Sequence, residues 1–575
     1  MKILLTELKT CDIMAILTQG ALTMEYKFKF LPSTEKCFID ENIDDKYGIE
    51  KLSMLKNERL CFQLAYAGAD MDWHTFFTRL EIESDIKEYV KAYRVEQVPV
   101  TYPKRPDLPM DGYLRDKAGL YPDLLRPVEE QYKFIFHKDE LRSLYVIVEN
   151  KDGIPAGDHY VTFRAYEGEN CLVEATMPIK VIDATLPKQT LIHTEWFHND
   201  GLCQYYETEM FSEKYWNILR NFLYEARETG VNMILTPVFT PPLDTAIGGE
   251  RMTCQLVDVT VTENGYKFGF ERFDRWVNIC LELGFEYFEI SHLFTQWGCH
   301  HAPKIIANVN GEEKKIFGWE TDSHSEEYTA FIRAFLIELI AHAKKLGIND
   351  MLYFHISDEP YGEHLESYLK AKEAIWDIIG EYHQIDALSD YAFYEQGAVK
   401  NPIPASDHIK PFLENKVPNL WVYYCVSQDW ETSNRFLSMP GTRTRAIGVQ
   451  MFKFDIVGFL QWGFNFYNCQ YSNYAINPFS ETCGEYFAPA GDAFLVYPGP
   501  KGVPYRSLHQ AQFVDALTDL RALQYLSSLI GKEETMKLVE EDLPSELAFN
   551  YCPLEQSYYV NLREKVNAAI EKATK

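Results

Sequence analysis

From Gln189 onward, short apolar runs alternate with longer stretches whose apolar residues recur every three or four positions. "QTLIHTEWF" from Gln189, "VNMILTPVF" from Val231, "FEYFEISHLF" from Phe285 and "DMLYFHIS" from Asp350 have the nearly continuous apolar character of buried parallel strands. "SEKYWNILRNFLYEARETG" from Ser212, "RFDRWVNICLELG" from Arg272, "YTAFIRAFLIELIAHAKKLG" from Tyr328 and "HLESYLKAKEAIWDIIG" from His364 carry the helical period and stop at glycine. "QIDALS" from Gln384, "LWVYYCV" from Leu420 and "IVGFLQWGF" from Ile456 add three strands. Seven clear strands in repeated strand–helix units predict a (β/α)8-like barrel with one strand missing or irregular.

The flanks have other rhythms. "RLCFQLAYAG" from Arg59, "SLYVIVEN" from Ser143 and the long run from Gly157 to Asp183 read as strands separated by turn residues, which predicts an antiparallel β-sandwich. "PDLPMDGYLRDKAGLYPDLLRP" from Pro106 reads as a long loop and "ATLPKQ" from Ala184 as a linker. After Gly491, "AFLVYPG" reads as a strand, followed by a helix from Gln510 and another over the final forty or so residues. The expected fold is α/β, with a β-sandwich over 1–185, the barrel over 186–490 and a strand-and-helix appendage over 491–575.

At 575 residues the chain is too long for one ordinary core. A formal charge of −29 repels phosphate backbones and argues against a nucleic-acid partner. No apolar run approaches the ~18 residues a membrane span needs. The opening "MKILLTELKTCDIMAILTQG" is broken by Glu7, Lys9 and Asp12, so it lacks a secretory core and a cytoplasmic location is expected. The 12 cysteines are scattered without a CxxC pair, which fits small buried hydrophobes rather than disulfides or zinc. Aromatics make up 14% of the chain, enough to stack against sugar rings, though large cores also consume them.

The candidate chemistry sits in "YFHISDEPYG" from Tyr353, where two adjacent carboxylates, Asp358 and Glu359, close the fourth strand. Strand C-terminal ends form the working face of such a barrel. Neighbours on a regular strand face opposite ways, so both acids share a pocket only where the strand ends, and Pro360 ends it. An ionised Asp358 would raise the pKa of Glu359 and keep it protonated, as a general acid requires. The competing reading is local: Ser357 or Asp358 caps a helix with Pro360 in its first turn.

"SDEP" is one residue from the Asn-Glu-Pro that marks the acid/base of many retaining barrel glycosidases, whose nucleophile is a second carboxylate ~5–5.5 Å away on the seventh strand. Here "GFLQWGFNFYN" from Gly458 offers Gln461, Trp462 and Asn465 but no carboxylate. That favours substrate assistance, in which a 2-acetamido group attacks the anomeric carbon. An acid then serves the leaving group, and an anion orients the acetamide N–H.

"FHISDEP" (Phe354 to Pro360), "GFLQWGFNFY" (Gly458 to Tyr467), "GDAFLVYPG" (Gly491 to Gly499) and the following "SLHQAQFVDALTDLRALQYL" resemble the DUF4091 domain. That domain includes the β-N-acetylgalactosaminidases of glycoside hydrolase family 123. "NERLCFQLAYAG" from Asn57 is similar to the entry of the sandwich that precedes the barrel there. The chain departs from the pattern at Ala493, where glycine is usual, and in the Gln and Ala residues of the tail helix. The resemblance implies a retaining exo-hydrolase of terminal β-linked N-acetylgalactosamine working through an oxazolinium intermediate. Asp358 would orient the acetamide, and Glu359 would be the general acid/base.

Further substrate-binding candidates are Trp196, His292, His355, Tyr394, Trp462 and Asn465, with Trp462 as an aromatic floor or a core residue. The adjacent histidines of "GCHHAPK" from Gly298 lack a completing ligand spacing, so no metal and no cofactor are expected. The partner expected is a small glycoside or oligosaccharide, and the sequence leaves the oligomeric state open. A hydrolase of another hexosaminide, one acting on a sugar without the acetamide, and a non-catalytic carbohydrate binder stay open as alternatives.

Overall fold

The computed structural model describes residues 25–575 apart from 70–73, 76, 111, 129–132 and 152. The opening apolar cluster and Cys11 lie outside the described residues.

Two sheets face each other in the N-terminal part. One has six strands, including Glu25–Pro32, Glu58–Ala69 and Arg142–Asn150, paired antiparallel. The other has four, built on the hairpin Gly157–Glu167 and Asn170–Thr185. Alternate residues point inward, so Phe62, Leu64 and Val146 of the first sheet meet Phe163, Met177 and Ile179 of the second in one apolar cluster. The Pro106 excursion is a loop only in its first half. Gly119–Pro127 pairs with Val90–Val100 as a strand, since "GLYPDLL" supplies apolar side chains to the sheet.

The middle of the chain carries a seven-stranded parallel sheet. In chain order its strands are Ile192–Glu195, Met233–Thr236, Tyr287–Ile290, Leu352–Phe354, His383–Gln384, Trp421–Tyr423 and Gly458–Gln461. They are short and, apart from the exposed His383 and the half-buried Ile192 and Tyr287, buried, as expected of strands covered on both faces. Asp386–Ala387 continues the fifth and pairs in parallel with Pro402–Ile403. This two-residue strand is too short to show a hydrophobic period and is absent from the sequence pattern. Beyond it, the Tyr423 N–H donates to Pro404 O at 3.1 Å and the Ser406 N–H to Tyr423 O at 2.9 Å. One apolar cluster takes a side chain at or beside each strand, including Met233, Tyr353, Ile403, Trp421 and Leu460.

Helices pack outside this sheet, and their ends follow the sequence. Ser212 caps Glu213–Glu228 by accepting from the Tyr215 N–H. Gly284 and Gly347 close Glu271–Leu283 and Glu326–Leu346 at φ 86° and 73°, a left-handed turn that glycine adopts without steric cost. The C-terminal part corrects the sequence reading. "AFLVYPG" is not a regular strand, because its buried residues pair only through isolated bridges, Asn465 with Phe494 and Tyr497 with Tyr505. The strand there is Arg506–Ser507, which joins the edge of the six-stranded sheet. The last stretch holds two helices, Lys532–Glu540 and Gln556–Thr574, after Leu508–Ile530.

Arg435, fully buried, ties these parts together. Its Nη1 donates to both Glu195 carboxylate oxygens at 3.0 Å, at the end of the first parallel strand. Its Nη2 donates to Gly463 O at 2.7 Å and Asp492 O at 2.9 Å, and Nε to Gly491 O at 3.1 Å. Arg435→Met would leave the buried Glu195 carboxylate without its guanidinium partner. The expected cost is roughly 3–5 kcal/mol, read as a lower denaturation midpoint; an unchanged midpoint would show that the pair is not a structural tie.

Candidate active site

A cavity of about 180 Å³ opens beyond the C-terminal ends of the parallel strands. Asp358 and Glu359 both line it, together with Trp196, Trp462, Tyr423 and Trp297. The helix-capping alternative fails on position: the next helical turn starts at Gly362 with Tyr361 as its N-cap, and Leu365–Ile379 follows. Ser357 instead donates its hydroxyl to Thr295 O at 2.9 Å, locking the strand end to the neighbouring loop. The Trp297 N–H donates to Asp358 O at 3.0 Å from the same side.

The backbone is unusual around this opening. Asp244, Trp297, Glu359 and Tyr471 all line the cavity and all hold positive φ, at 40°, 57°, 43° and 59°. Each such residue costs ~1–3 kcal/mol and persists only where its surroundings over-determine it, which is characteristic of functional clefts. The left-handed turn at Glu359 breaks the strand alternation, so two consecutive side chains enter one space.

Beneath the pair lies a buried polar network. His355 Nε2 meets Glu289 Oε1 at 2.5 Å, and its Nδ1 lies 3.5 Å from Asp386 Oδ1. Burial opposes a charge on this imidazole, but the carboxylates of Asp386 and Glu289 outweigh it and lift its pKa to about 9. Asp386 also accepts from the Ile356 and Ser357 N–H groups at 3.0 and 3.2 Å. Glu289 accepts from Trp196 Nε1 at 2.8 Å and from the Thr194 hydroxyl.

The acids themselves are held differently. The Tyr423 hydroxyl donates to Glu359 Oε1 at 2.7 Å, a partner that no local pattern announces. The Asp358 carboxylate accepts no hydrogen bond from the described residues. Burial first, then the Glu359 charge, hold its pKa well above the usual carboxylate range, against the pull of His355. The acid favoured in its neutral form is therefore Asp358, not Glu359 as the sequence suggests.

Among the other candidates, Trp196 and Trp462 line the cavity. Trp462 Nε1 donates to Asp492 Oδ2 at 2.9 Å, and burial lifts Asp492 to about 7 despite Arg435 and this hydrogen bond. His355, His292, Asn465 and Tyr394 do not line it. His355 is the buried support just described. His292 stacks on His355 at 4.3 Å and is kept neutral by burial and by that neighbour's charge. Asn465 spends both ends of its amide on the His198 backbone, at 2.8 and 3.1 Å. Tyr394 sits in Tyr391–Glu395 against Phe412. Among the described residues no group of three or more His, Cys, Asp or Glu side chains is arranged to hold a metal ion. None of their helices is long and apolar enough to cross a membrane.

Residues 196–526, more than half of the chain, match the family described as glycoside hydrolase 123, catalytic domain. The chain belongs to glycoside hydrolase family 123. Its fold is similar to that of a family 123 glycoside hydrolase from Clostridium perfringens, with a TM-score of 0.72 and 14% identity over 95% of this chain and 98% of that one. A family 39 glycoside hydrolase from Bacteroides cellulosilyticus WH2 aligns at TM-score 0.31 and 9% identity, covering 84% of this chain and 83% of that one. A GH5 xyloglucanase from Bacteroides ovatus aligns at 0.31 and 10%, covering 81% and 98%. Comparison with curated proteins gives no match.

The pKa directions fix a pH response. His355 binds its proton more tightly folded than unfolded, so its pairing stabilises fully below its unfolded pKa of about 6.5 and is lost as pH rises to about 9. Asp492 also binds its proton more tightly when folded, so stability falls from its unfolded pKa of about 4 up to about 7. The melting temperature should therefore decline from mildly acidic to alkaline pH. Asp492→Asn should flatten the acidic half of that decline and leave the alkaline half. A variant with the parent's full slope would contradict the assignment.

Proposed function

We propose that this family 123 protein releases terminal β-linked N-acetylgalactosamine with retention, using the substrate's acetamide as nucleophile. The observation that carries the reading is that Asp358 and Glu359 share one small cavity with three tryptophans, Trp196, Trp297 and Trp462. Two adjacent acids in a partly desolvated space hold one proton between them more readily than none. In the free site, burial and repulsion favour that proton on Asp358. An acetamide N–H donating to Asp358 would stabilise its charged form and send the proton to Glu359. Tyr423 occupies Glu359 Oε1, which leaves Oε2 to carry that proton toward the glycosidic oxygen. The amide oxygen then attacks the anomeric carbon as the C–O bond to the aglycone breaks, and the aglycone leaves as an alcohol bearing the Glu359 proton. Glu359, now ionised, takes a proton from the water that opens the oxazolinium. Trp462, pinned through Nε1 with its ring against the cavity, suits the apolar face of the pyranose.

A (β/α)8-like barrel is the fold that suits this arrangement. It is supported by the pairing of Asp386–Ala387 with Pro402–Ile403 and the bridge from Ala405 to Tyr423, which together connect the two edges of the seven-stranded sheet. Glycolipid glycan hydrolysis by the Clostridium perfringens neighbour fits a glycan substrate of this kind.

Parallel assays of aryl β-N-acetylgalactosaminide, β-N-acetylglucosaminide and β-galactoside should show turnover of the first and none of the last. Cleavage of the galactoside alone would exclude acetamide participation. Glu359→Gln should lower kcat on glycosides with poor leaving groups by ~10²–10⁴-fold and spare activated aryl substrates. Asp358→Asn should lose both, because ring closure itself suffers. Equal, mild losses from both changes would remove the acids from the chemistry.

A further inference from the structure

The cavity contains a second polar pair that the proposed chemistry does not use. Asp244, in the loop after the second parallel strand, and Gln296, in the loop after the third, both line it beside the catalytic acids. Gln296 is only 6% exposed. Its Oε1 accepts from the Asp244 N–H at 3.0 Å, which fixes which end of the amide is free. The remaining Nε2 is buried and has no hydrogen-bond partner among the described residues, and the same holds for Asp244 Oδ2.

Such groups are rarely left unpaired in a folded chain, because each has given up its water without replacement. Here they are also built in. Asp244 holds a left-handed φ of 40°, its carbonyl accepts from the Ser472 hydroxyl at 2.8 Å, and Arg251 Nη1 donates to Leu243 O at 3.0 Å just before it. Three segments therefore over-determine a strained residue whose carboxylate oxygen remains unpaired. The two groups are chemically complementary to an alcohol, which donates to a carboxylate and accepts from an amide N–H.

We propose that Asp244 and Gln296 recognise a hydroxyl group of the bound sugar ring and so determine which glycone is accepted. This assignment rests on the glycosidase reading of the same cavity. A site that pairs with a hydroxyl strongly rejects the analogue lacking it, because its own buried polar groups are then left unpaired. An apolar pocket would discriminate far less.

The test is a cycle between protein and substrate. Aryl β-N-acetylgalactosaminides lacking the 3-, 4- or 6-hydroxyl are compared with the parent in wild type, Asp244→Asn and Gln296→Glu, with melting temperatures recorded for each protein. One deoxy substrate should lose at least ~10²-fold in kcat/KM with wild type. Each variant should lose a similar factor on the parent but fall little further on that deoxy substrate. Equal losses on every substrate, or none, would overturn the hydroxyl assignment while leaving the glycosidase reading intact. If wild type cleaves no aryl glycoside, the glycosidase reading falls instead. Calorimetric titration with N-acetylgalactosamine and its deoxy forms then decides the pair: binding that needs both one hydroxyl and Asp244 supports it, and binding indifferent to either, or absent, overturns it.

Discussion

His355 stands between two buried carboxylates, and the charge they share determines how the fourth parallel strand ends. An imidazole in so dry a place would ordinarily give up its proton. Glu289 from the third strand and Asp386 from the fifth keep it charged, so three adjacent strands are coupled through one ring. Asp386 simultaneously holds the N–H groups of Ile356 and Ser357, and Glu289 holds the indole of Trp196. The chain reaches Asp358 already anchored on both sides and turns into left-handed backbone at Glu359. The polar layer thus serves the site from below without touching the cavity.

Around the rim the same logic is repeated with different groups. Arg435 binds the end of the first strand of the parallel sheet and the segment after the seventh to the Gly491–Asp492 corner. That corner supplies the carboxylate that pins Trp462. Tyr423, at the end of the strand on the other side of Trp462's own, fixes one oxygen of Glu359. Two costly features, positive φ at four lining residues and unpaired polar atoms, therefore meet at one small opening. Natural chains concentrate local conflicts of this kind where they bind or react.

Much of this was legible in the sequence wherever the information was local. The strand–helix rhythm and its glycine stops located all seven strands of the parallel sheet and four of the outer helices, since period and capping act within a few residues. Asp358 and Glu359 were legible for the same reason: the strand, its end and both acids occupy ten consecutive residues. What failed was long-range. Pro402–Ile403 is too short to show a period, and "AFLVYPG" is apolar because it is buried, not because it pairs in a sheet. His292 and Asn465 are polar residues consumed inside the fold, which a list of strand ends cannot distinguish from residues facing a ligand. Tyr423, Asp244 and Gln296 join the acids only through tertiary folding.

In the proposed reaction two neighbouring acids act cooperatively on one sugar. Its most direct measurement is a structure of the protein with N-acetylgalactosamine-thiazoline, a stable mimic of the cyclised intermediate. The ring nitrogen should lie within hydrogen-bond distance of the Asp358 carboxylate, with Glu359 facing the anomeric carbon and the pyranose resting on Trp462. A thiazoline bound away from both carboxylates, or one whose nitrogen meets a different residue, would contradict it.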